Sequence, residues 1–508
     1  MNSNPRNELT AIIGPMYYPL NRARTNRSAF CGRKLSFAIL MSCHTQVSID
    51  VNPMTSVVLT MTGPEHLGPW LAGGLQTEAA ARRAARRLRG SVECRYWFLD
   101  LCSAELRNKI PVAACDRRKI TSAVGTGTWE SRLSFLKQER AVLNALIPGL
   151  DEKLAGFSLT ETERPGNPGI AVYRECGGVR LLIPKELGGL GADALQAVRV
   201  HRAVGSRSPS LAVATTMHHF SVVSLVEAEA VGTGAESLLL EAIASQNHYV
   251  ASGFAEGKTG QNILTSSMQV RRTAEGLVLN GSKKPCSLST SMSLLTVSFC
   301  VPPGADGQPA GFAIAVVPSD AEGLERRPFW SNSVLAGAES DEVVLRDVVV
   351  PEAFVAYLGS EAQAQAVQTR SFIWFELLIS ASYLGVASAL VERVLLAARG
   401  TPTERTRLAI DVEGAMSALE NAARAIMNGE QNDDALARLI MVRYAVQGAI
   451  DRVTLHAAEL LGGIAFLTSN DVVCLLASAR ALAFHPPSRA SVVNDLDGYL
   501  IGKPFAIA

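Results

Sequence analysis

The spacing of apolar residues divides the chain into four regions. Residues 1–126 show no sustained periodicity. Between 127 and 250 apolar residues recur every three or four positions, as in LSFLKQERAVLNALIPGLDEKL, which predicts amphipathic helices. Between 251 and 360 short runs rich in Val, Thr and Leu alternate with Gly, Pro and Asn, which predicts strands. Between 361 and 508 the helical period returns in four blocks: 370–399, 405–428, 433–462 and 470–484.

This order of elements predicts an α+β fold with three parts. The expected parts are an N-terminal helical domain (127–250), a small central β-sheet domain (251–360) and a C-terminal four-helix bundle (361–508). The five strand-like runs are SSMQVRRTA, GLVLNGSKK, SLLTVSFCV, GFAIAVVP and DEVVLRDVVVP.

The distribution of charge distinguishes residues 1–126 from the rest of the chain. The net charge of +1 argues against a chain that coats nucleic acid throughout, but residues 1–126 hold 17 basic and 8 acidic residues against 31 and 39 in the remainder. The basic run at 82–89 is either a patch for an anionic surface or nucleic acid, or part of a poorly ordered extension. We favour the extension, and expect neither nucleic-acid nor membrane partners.

Cysteine, histidine and hydropathy patterns predict a reduced cytoplasmic protein without a metal site. The nine cysteines form no CxxC motif and no short Cys/His spacing. Side chains of the adjacent His218 and His219 would point about 100° apart on a helix, so they cannot share one metal. The longest uncharged stretch, 285–305, contains Pro, Ser and Thr and is unsuited to spanning a membrane.

Several cofactor folds are excluded by motif. The Gly cluster LGGLG at 187–191 follows no clear strand–turn–helix pattern, and Walker A, HExxH and GxSxG motifs are absent from the sequence. A cofactor would therefore lie where the helices meet the sheet.

Five segments in this order resemble motifs of the acyl-CoA dehydrogenase family, over about residues 127–503. They are IPKELGGLG (183–191), AEGKTGQN (255–262), LNGSK (279–283), DVVVP (347–351) and LLGG (460–463). The resemblance implies that the sheet and bundle bind FAD. It also implies that the flavin takes a hydride from the β-carbon of an acyl thioester while a carboxylate removes the α-proton.

The resemblance further implies a set of cofactor contacts. Ser287 retains the hydroxyl that bonds flavin N5 in relatives, although a strand-edge serine bonded to backbone is the alternative, and Pro285 replaces a Trp that covers the ring. The implied cofactor-binding residues are Ala255, Gly260, Gln261, Pro285, Ser287, Gly462 and Gly463.

The catalytic base departs from the family pattern. Many relatives carry a Glu after the last bundle helix, where this chain has Pro486. Other relatives carry the base on the first bundle helix, and there Glu376 lies nine residues before Gly385. We expect Glu376 to be the base. A structural or exposed role for Glu376, His485 as the local alternative, and no base at all remain open.

We therefore expect an FAD-dependent α,β-dehydrogenase of an acyl-CoA or acyl-carrier-protein substrate in a specialised pathway, with an electron-transfer partner or oxygen as acceptor. The alternatives are a flavin-dependent monooxygenase of the same fold, because such relatives lack the glutamate base, and a non-catalytic acyl- or partner-binding paralogue. The stretch FIWFELLISASYLGVASAL has one charge in nineteen residues, so we expect a second subunit to cover it in a homodimer or homotetramer.

Overall fold

The computed structural model divides into two compact units, residues 1–125 and 126–508. In the first unit the structure describes only the backbone of three strands, at 35–41, 45–52 and 56–62. The second unit is described over residues 133–229, 235–257, 266–303 and 310–505.

The first unit contains a small antiparallel sheet in the order β1-β2-β3, formed by Leu35–Met41, Thr45–Asn52 and Ser56–Thr62. Sequence periodicity predicted no element in this region. The missed signal is the alternation of polar and apolar residues in TQVSIDVN, the sequence of the central strand β2. The basic run at 82–89 lies outside the described residues.

Within the described residues 133–229 and 235–257, seven α-helices form the N-terminal part of the second unit. Local sequence marks their starts, since Ser158 and Asp193 each form a capping box and Asn167 caps a helix with Pro168 at its first position. The helices are α1 (Lys137–Leu146), α2 (Leu150–Ala155), α3 (Leu159–Thr162), α4 (Pro168–Glu175), α5 (Ala194–Arg207), α6 (Pro209–Glu229) and α7 (Ala235–Gln246).

Two four-stranded sheets follow, in the orders β5-β6-β10-β9 and β11-β8-β7-β4. All pairs are antiparallel except β4 with β7, which is parallel. The five predicted strand runs match β5, β6, β7, β8 and β10. The strands are β4 (Val250–Gly253), β5 (Gln269–Thr273), β6 (Gly276–Cys286), β7 (Leu294–Val301), β8 (Gly311–Pro318), β9 (Leu324–Arg327), β10 (Asp341–Val350) and β11 (Val355–Tyr357).

The C-terminal helices complete the predicted α+β fold, which is confirmed. Capping boxes at Ser360 and Thr401 start the first two helices, and Gly462 interrupts the third with a φ of 86°. This third helix runs six residues past the predicted end. The helices are α8 (Glu361–Leu396), α9 (Pro402–Met427), α10 (Asp433–Thr468), α11 (Asn470–Arg480) and α12 (Arg489–Leu500).

Helix α8 forms the centre of the second unit and packs against α5, α6, α9, α10 and α11. Helices α6 and α8 are long and apolar enough to cross a membrane by length and composition, but their apolar windows are 83% and 94% buried inside the fold. The expectation that a second subunit must cover the apolar stretch of α8 is therefore wrong. Helices of the same chain cover it.

The crossing of α5 and α8 depends on two glycines. A Cβ atom on Gly205 would lie 2.2 Å from the carbonyl oxygen of Ser382, and one on Gly385 would lie 2.3 Å from that of Arg202. Both obstacles are backbone atoms, so a side chain at either position would have to separate the helices.

We expect Gly205→Ala and Gly385→Ala each to lower the free energy of unfolding by about 1–3 kcal/mol or more, because overpacking displaces two core helices. Gly414 lies in the interior of α9, and a Cβ atom added there would meet no other atom within 4 Å. As the matched control, Gly414→Ala should raise the free energy of unfolding by about 0.5–1 kcal/mol. Urea titration measures all three, and equal effects at the three positions would contradict this account of the crossing.

Candidate active site

A cavity of about 620 Å³ lies where α6, the β-domain and the end of the helical bundle meet. Its walls are mainly apolar. Val213, Met217 and Phe220 come from one face of α6, at a spacing of four and then three residues. The other apolar lining residues are Phe254, Ala255, Pro285, Trp330, Val334, Leu335, Phe375, Ala477, Ala481, Phe484 and Pro486.

Few polar groups reach this cavity. The hydroxyls of Ser287 and Ser340, both buried, are 2.9 Å apart and hydrogen-bonded to each other. Arg480 is paired with Asp451 at 2.5 Å. Among the described residues that line the cavity, Arg480 is the only permanently charged one and none is acidic. The remaining polar lining residues are Ser252, Asn332 and His485.

His485 is held through its Nε2 atom, which lies 2.8 Å from the hydroxyl of Tyr383. Burial raises the pKa of Tyr383 well above its usual range, so this hydroxyl keeps its proton. Since no other acceptor for it is found among the described residues, we assign Tyr383 as donor to Nε2, which leaves the imidazole proton on Nδ1. Burial and the nearby Arg443 cation lower the pKa of His485 to about 3.

The backbone around His485 is fixed by Arg443 of α10. The Arg443 Nη1 donates to the carbonyl of Pro487 at 2.9 Å, and Nη2 donates to those of Leu482 and His485 at 3.0 and 2.7 Å. The hydroxyl of Tyr444 also donates to the Pro487 carbonyl, at 2.9 Å. Three carbonyl groups of the segment 482–487, called the 482–487 loop below, therefore accept hydrogen bonds from one helix.

Of the predicted cofactor-binding residues, Ala255, Pro285 and Ser287 line this cavity. Gly260 and Gln261 lie outside the described residues. Gly462 and Gly463 lie at the break in α10 and are not among the lining residues.

The segment that leads away from Ala255 is anchored by a buried ion pair. The ammonium of Lys283 lies 2.8 Å from Glu256, and Ser266 and Ser267 donate hydrogen bonds to the same carboxylate. Burial alone would raise the pKa of Glu256, but Lys283 and the serine hydroxyls hold it below its usual range. This carboxylate stays ionised and joins Lys283 of β6 to Ser266 and Ser267.

Glu376, predicted as the base, does not line the cavity. Its carboxylate is fully buried and lies 3.1 Å from Nη1 of Arg443, while its neighbour Phe375 lines the cavity. Burial raises the pKa of Glu376 to about 7, although Arg443 acts in the opposite direction. One residue corresponds to about 100° of rotation on a helix, which directs Glu376 to the arginine.

The adjacent histidines of α6 belong to the core. His218 is bonded to the carbonyl of Val179 and the amide of Val250, and His219 is bonded to the hydroxyl of Tyr173. Burial lowers the pKa of both imidazoles. No group of His, Cys, Asp or Glu suited to hold a metal occurs within the part of the chain that the structure describes.

Sequence analysis missed Arg443 and Tyr383, which position His485. A signal for Arg443 exists, because it is the only charge in the helical run LIMVRYAV and a lone arginine there requires partners. Tyr383 carried no distinguishing signal. The cavity face of α6 is periodic but cannot be told from core packing by sequence.

Comparison with known proteins agrees with this architecture. No protein-family model matches the chain. The structure of TdsC from Paenibacillus sp. A11-2, a dibenzothiophene monooxygenase with FMN bound, superposes with a TM-score of 0.60 at 17% identity, covering 73% of this chain and 98% of TdsC. XiaF from Streptomyces sp., in complex with FADH2 and glycerol, gives 0.60 at 19% identity with the same coverages. These likenesses show the fold of acyl-CoA dehydrogenase-like flavoenzymes.

One sequence relative is much closer. Isobutylamine N-hydroxylase of Streptomyces viridifaciens is 41% identical over 377 residues, which cover 73% of this chain and 99% of that protein. This identity extends over the whole of the relative, and the relatives are monooxygenases rather than dehydrogenases. The chain therefore belongs to the family of isobutylamine N-hydroxylase, within the acyl-CoA dehydrogenase-like fold.

Proposed function

We propose that this protein is a flavin-dependent monooxygenase that N-hydroxylates a small, mainly apolar primary amine. The observation that carries the proposal is the composition of the cavity wall, where His485 is neutral, Pro486 occupies the position of the dehydrogenase base, and no described lining residue is acidic. The name of its 41% identical relative supports the same reaction.

A flavin suits the residues present. The cavity volume lies within the range of ligand sites. The Ser287–Ser340 pair can satisfy only one of its two hydroxyl hydrogens internally, so one remains to donate to a ring nitrogen or carbonyl. Ser287, Pro285 and Ala255 would hold the ring, with Gly260, Gln261, Gly462 and Gly463 kept as proposed contacts. FMN and FADH2 in the neighbouring structures support a flavin.

A reduced flavin held in this cavity would supply the two electrons and two protons that, with O2, convert the amine to a hydroxylamine and water. The protein's part is to bind the amine, exclude bulk water and hold the departing oxygen. Nδ1 of His485 carries the proton of a neutral imidazole and can donate a hydrogen bond to that oxygen, while Tyr383 fixes the ring through Nε2.

The walls also favour the uncharged amine. An ammonium group would lose its hydration in an apolar cavity without gaining a carboxylate partner, and the only fixed charge among the described lining residues is the cation of Arg480. Oxygen transfer requires the nitrogen lone pair, which the ammonium form lacks. The same wall composition therefore selects the reactive form.

The dehydrogenase interpretation has less support. It requires a carboxylate beside the α-carbon, and the predicted one, Glu376, is bound to Arg443 outside the cavity lining. An acyl-CoA or carrier-protein substrate has no further support in the relatives, whereas the oxygenase alternative does. Oxygen and a separate flavin reductase are accordingly the proposed partners.

With FMN or FAD, NADH, a flavin reductase and isobutylamine, we expect the protein to form N-hydroxyisobutylamine. His485→Gln should lower its rate of formation by a factor on the order of 10², because the hydrogen bond from Nδ1 to the departing oxygen is lost, with peroxide released instead. His456→Gln, on the surface of α10, is the matched control and should change little. Anaerobic bleaching of the bound flavin by an acyl thioester, without hydroxylamine formation in air, would instead support the dehydrogenase.

The pH dependence should follow the amine and not His485. With its pKa lowered to about 3, His485 binds no proton above pH ~4 and stays neutral across the assay range. The neutral fraction of an alkylamine with a pKa of about 10 rises roughly tenfold per pH unit, so kcat/KM for total amine should rise accordingly between about pH 6 and 9. Initial rates over this range test it. An inflection near pH 6.5 that vanishes in His485→Gln would show that the imidazole titrates there.

We also propose a homo-oligomer, now for a different reason. Helix α10 leaves large apolar side chains in solvent around its break at Gly462, with Ile464 76% and Leu467 79% exposed and Leu455 also exposed. A second copy of the chain covering this row would bury apolar area.

Light scattering at micromolar concentration should therefore give the mass of two or four chains. Ile464→Glu together with Leu467→Glu should shift the mass toward a single chain, because charge is costly in an apolar interface. Leu238→Glu, at an equally exposed leucine of α7, is the matched control and should leave the mass unchanged. A single-chain mass for the unaltered protein would refute the proposal.

A further inference from the structure

The 482–487 loop satisfies only part of its own backbone, through a hydrogen bond of 3.2 Å from the His485 amide to the Leu482 carbonyl. It overlaps a short 3-10 turn, Ala481–Phe484, and contains Pro486 and Pro487, which have no N–H to donate. Carbonyl groups in such a segment need donors from elsewhere when they are turned away from water. The conformation of this loop therefore depends on an external partner, and with it the place of His485.

Arg443 is that partner, and its geometry is specific. Its buried guanidinium bonds the carbonyls of Leu482, His485 and Pro487, which lie before, at and after the cavity residue. A planar fork with donors on two nitrogens can reach separated acceptors at once. A lysine ammonium is a single point charge and cannot reproduce this arrangement.

The buried cation in turn needs a counter-charge. Glu376 supplies it, fully buried on α8 at 3.1 Å from Arg443. Seven residues along the same helix, and so on the same face, Tyr383 bonds Nε2 of His485. One helix thus determines both the loop backbone, through Glu376 and Arg443, and the imidazole ring, through Tyr383.

We propose that Arg443 and Glu376 are positioning residues that fix His485 in the cavity wall, with Arg443 binding the loop carbonyls and Glu376 neutralising Arg443. Glu376 is then the counter-ion of the site rather than its base. The catalytic part of this inference rests on the proposed function, but the placement of His485 does not.

A buried ion pair can also serve general stability, so a matched pair is needed as control. Arg202 of α5 is likewise fully buried and lies 2.6 Å from the buried Glu139 of α1 and 2.6 Å from the more exposed Glu413 of α9. None of the three lines the cavity. Glu139→Gln therefore removes a buried carboxylate partner of a buried arginine without touching the 482–487 loop.

Chemical labelling of His485 tests its placement without any assay of activity. Trypsin releases Ala481–Arg489, in which His485 is the only histidine, so its reaction with diethyl pyrocarbonate can be followed by mass spectrometry. In the flavin-loaded full chain, Glu376→Gln and Arg443→Lys should each raise the labelling rate of His485 about fivefold or more, because the loop opens locally. Glu139→Gln should not, and His248 and His456 serve as internal references.

Double substitution tests the catalytic consequence. If Arg443 acts through His485, Arg443→Lys should lower hydroxylation and raise peroxide release in the unaltered background, yet change either by less than about twofold in the His485→Gln background. A general structural role predicts the same loss in both backgrounds and would overturn the inference.

Different results would refute the positioning role of Arg443 and Glu376 and the proposed N-hydroxylase function. His485 labelling within about twofold of the unaltered protein in both Glu376→Gln and Arg443→Lys, with folded structure verified by circular dichroism, would refute the positioning role. If the unaltered protein forms no hydroxylamine, the proposed function fails while the labelling result still decides the placement of His485. If one variant does not fold, the other gives the decision.

Discussion

The burial of helix α8 on nearly every side is the constraint on which the second unit depends. A helix of 36 residues surrounded by five others can carry charge only where a neighbour supplies the opposite charge. Its two buried acids meet this condition with different partners. Glu376 pairs with Arg443 of α10. Glu392 accepts two hydrogen bonds from Arg140 of α1, at 2.6 Å from Nη1 and 2.8 Å from Nη2. These two pairs link the central helix to both the bundle and the N-terminal helices.

Helix α8 also contributes to the wall of the cavity. Phe375 contributes to its wall, and the next residue, Glu376, is rotated by about 100° toward Arg443. An apolar wall and an ion pair are therefore separated by a single position in the sequence. Because Arg443 then bonds the carbonyls of the 482–487 loop, the charge that α8 tolerates in its core also determines the shape of the cavity beside it.

The single-residue step between the cavity wall and the ion pair shows where prediction from the sequence ends. Periodicity located the long helices and five strands, because each buries a continuous face, but β4, β9 and β11, with three or four residues each, are too short to show a period. Motif resemblance singled out Ser287 and Pro285, which line the cavity at the end of strand β6, whose register is set by pairing with β10. For Glu376 the sequence could not show whether the side chain lines the cavity, because a helical register cannot be read to one residue in a stretch that is apolar all round. Contacts between Arg443 and distant carbonyls are tertiary and leave no local pattern.

The wall composition bears on chemistry in two ways that reinforce each other. Removing an α-proton from a thioester needs a carboxylate at the reacting carbon, and the described lining of the cavity contains none. Hydroxylating an amine needs the opposite, because a carboxylate beside the nitrogen would stabilise the ammonium form and occupy the lone pair with a proton. No acidic residue occurs among the described residues that line the cavity. The dehydrogenation therefore lacks the base that it needs, whereas the N-hydroxylation has the acid-free surroundings that it needs. A neutral His485, kept neutral by burial and by the cation of Arg443, completes this condition, since it can donate a hydrogen bond without offering a negative charge to the amine.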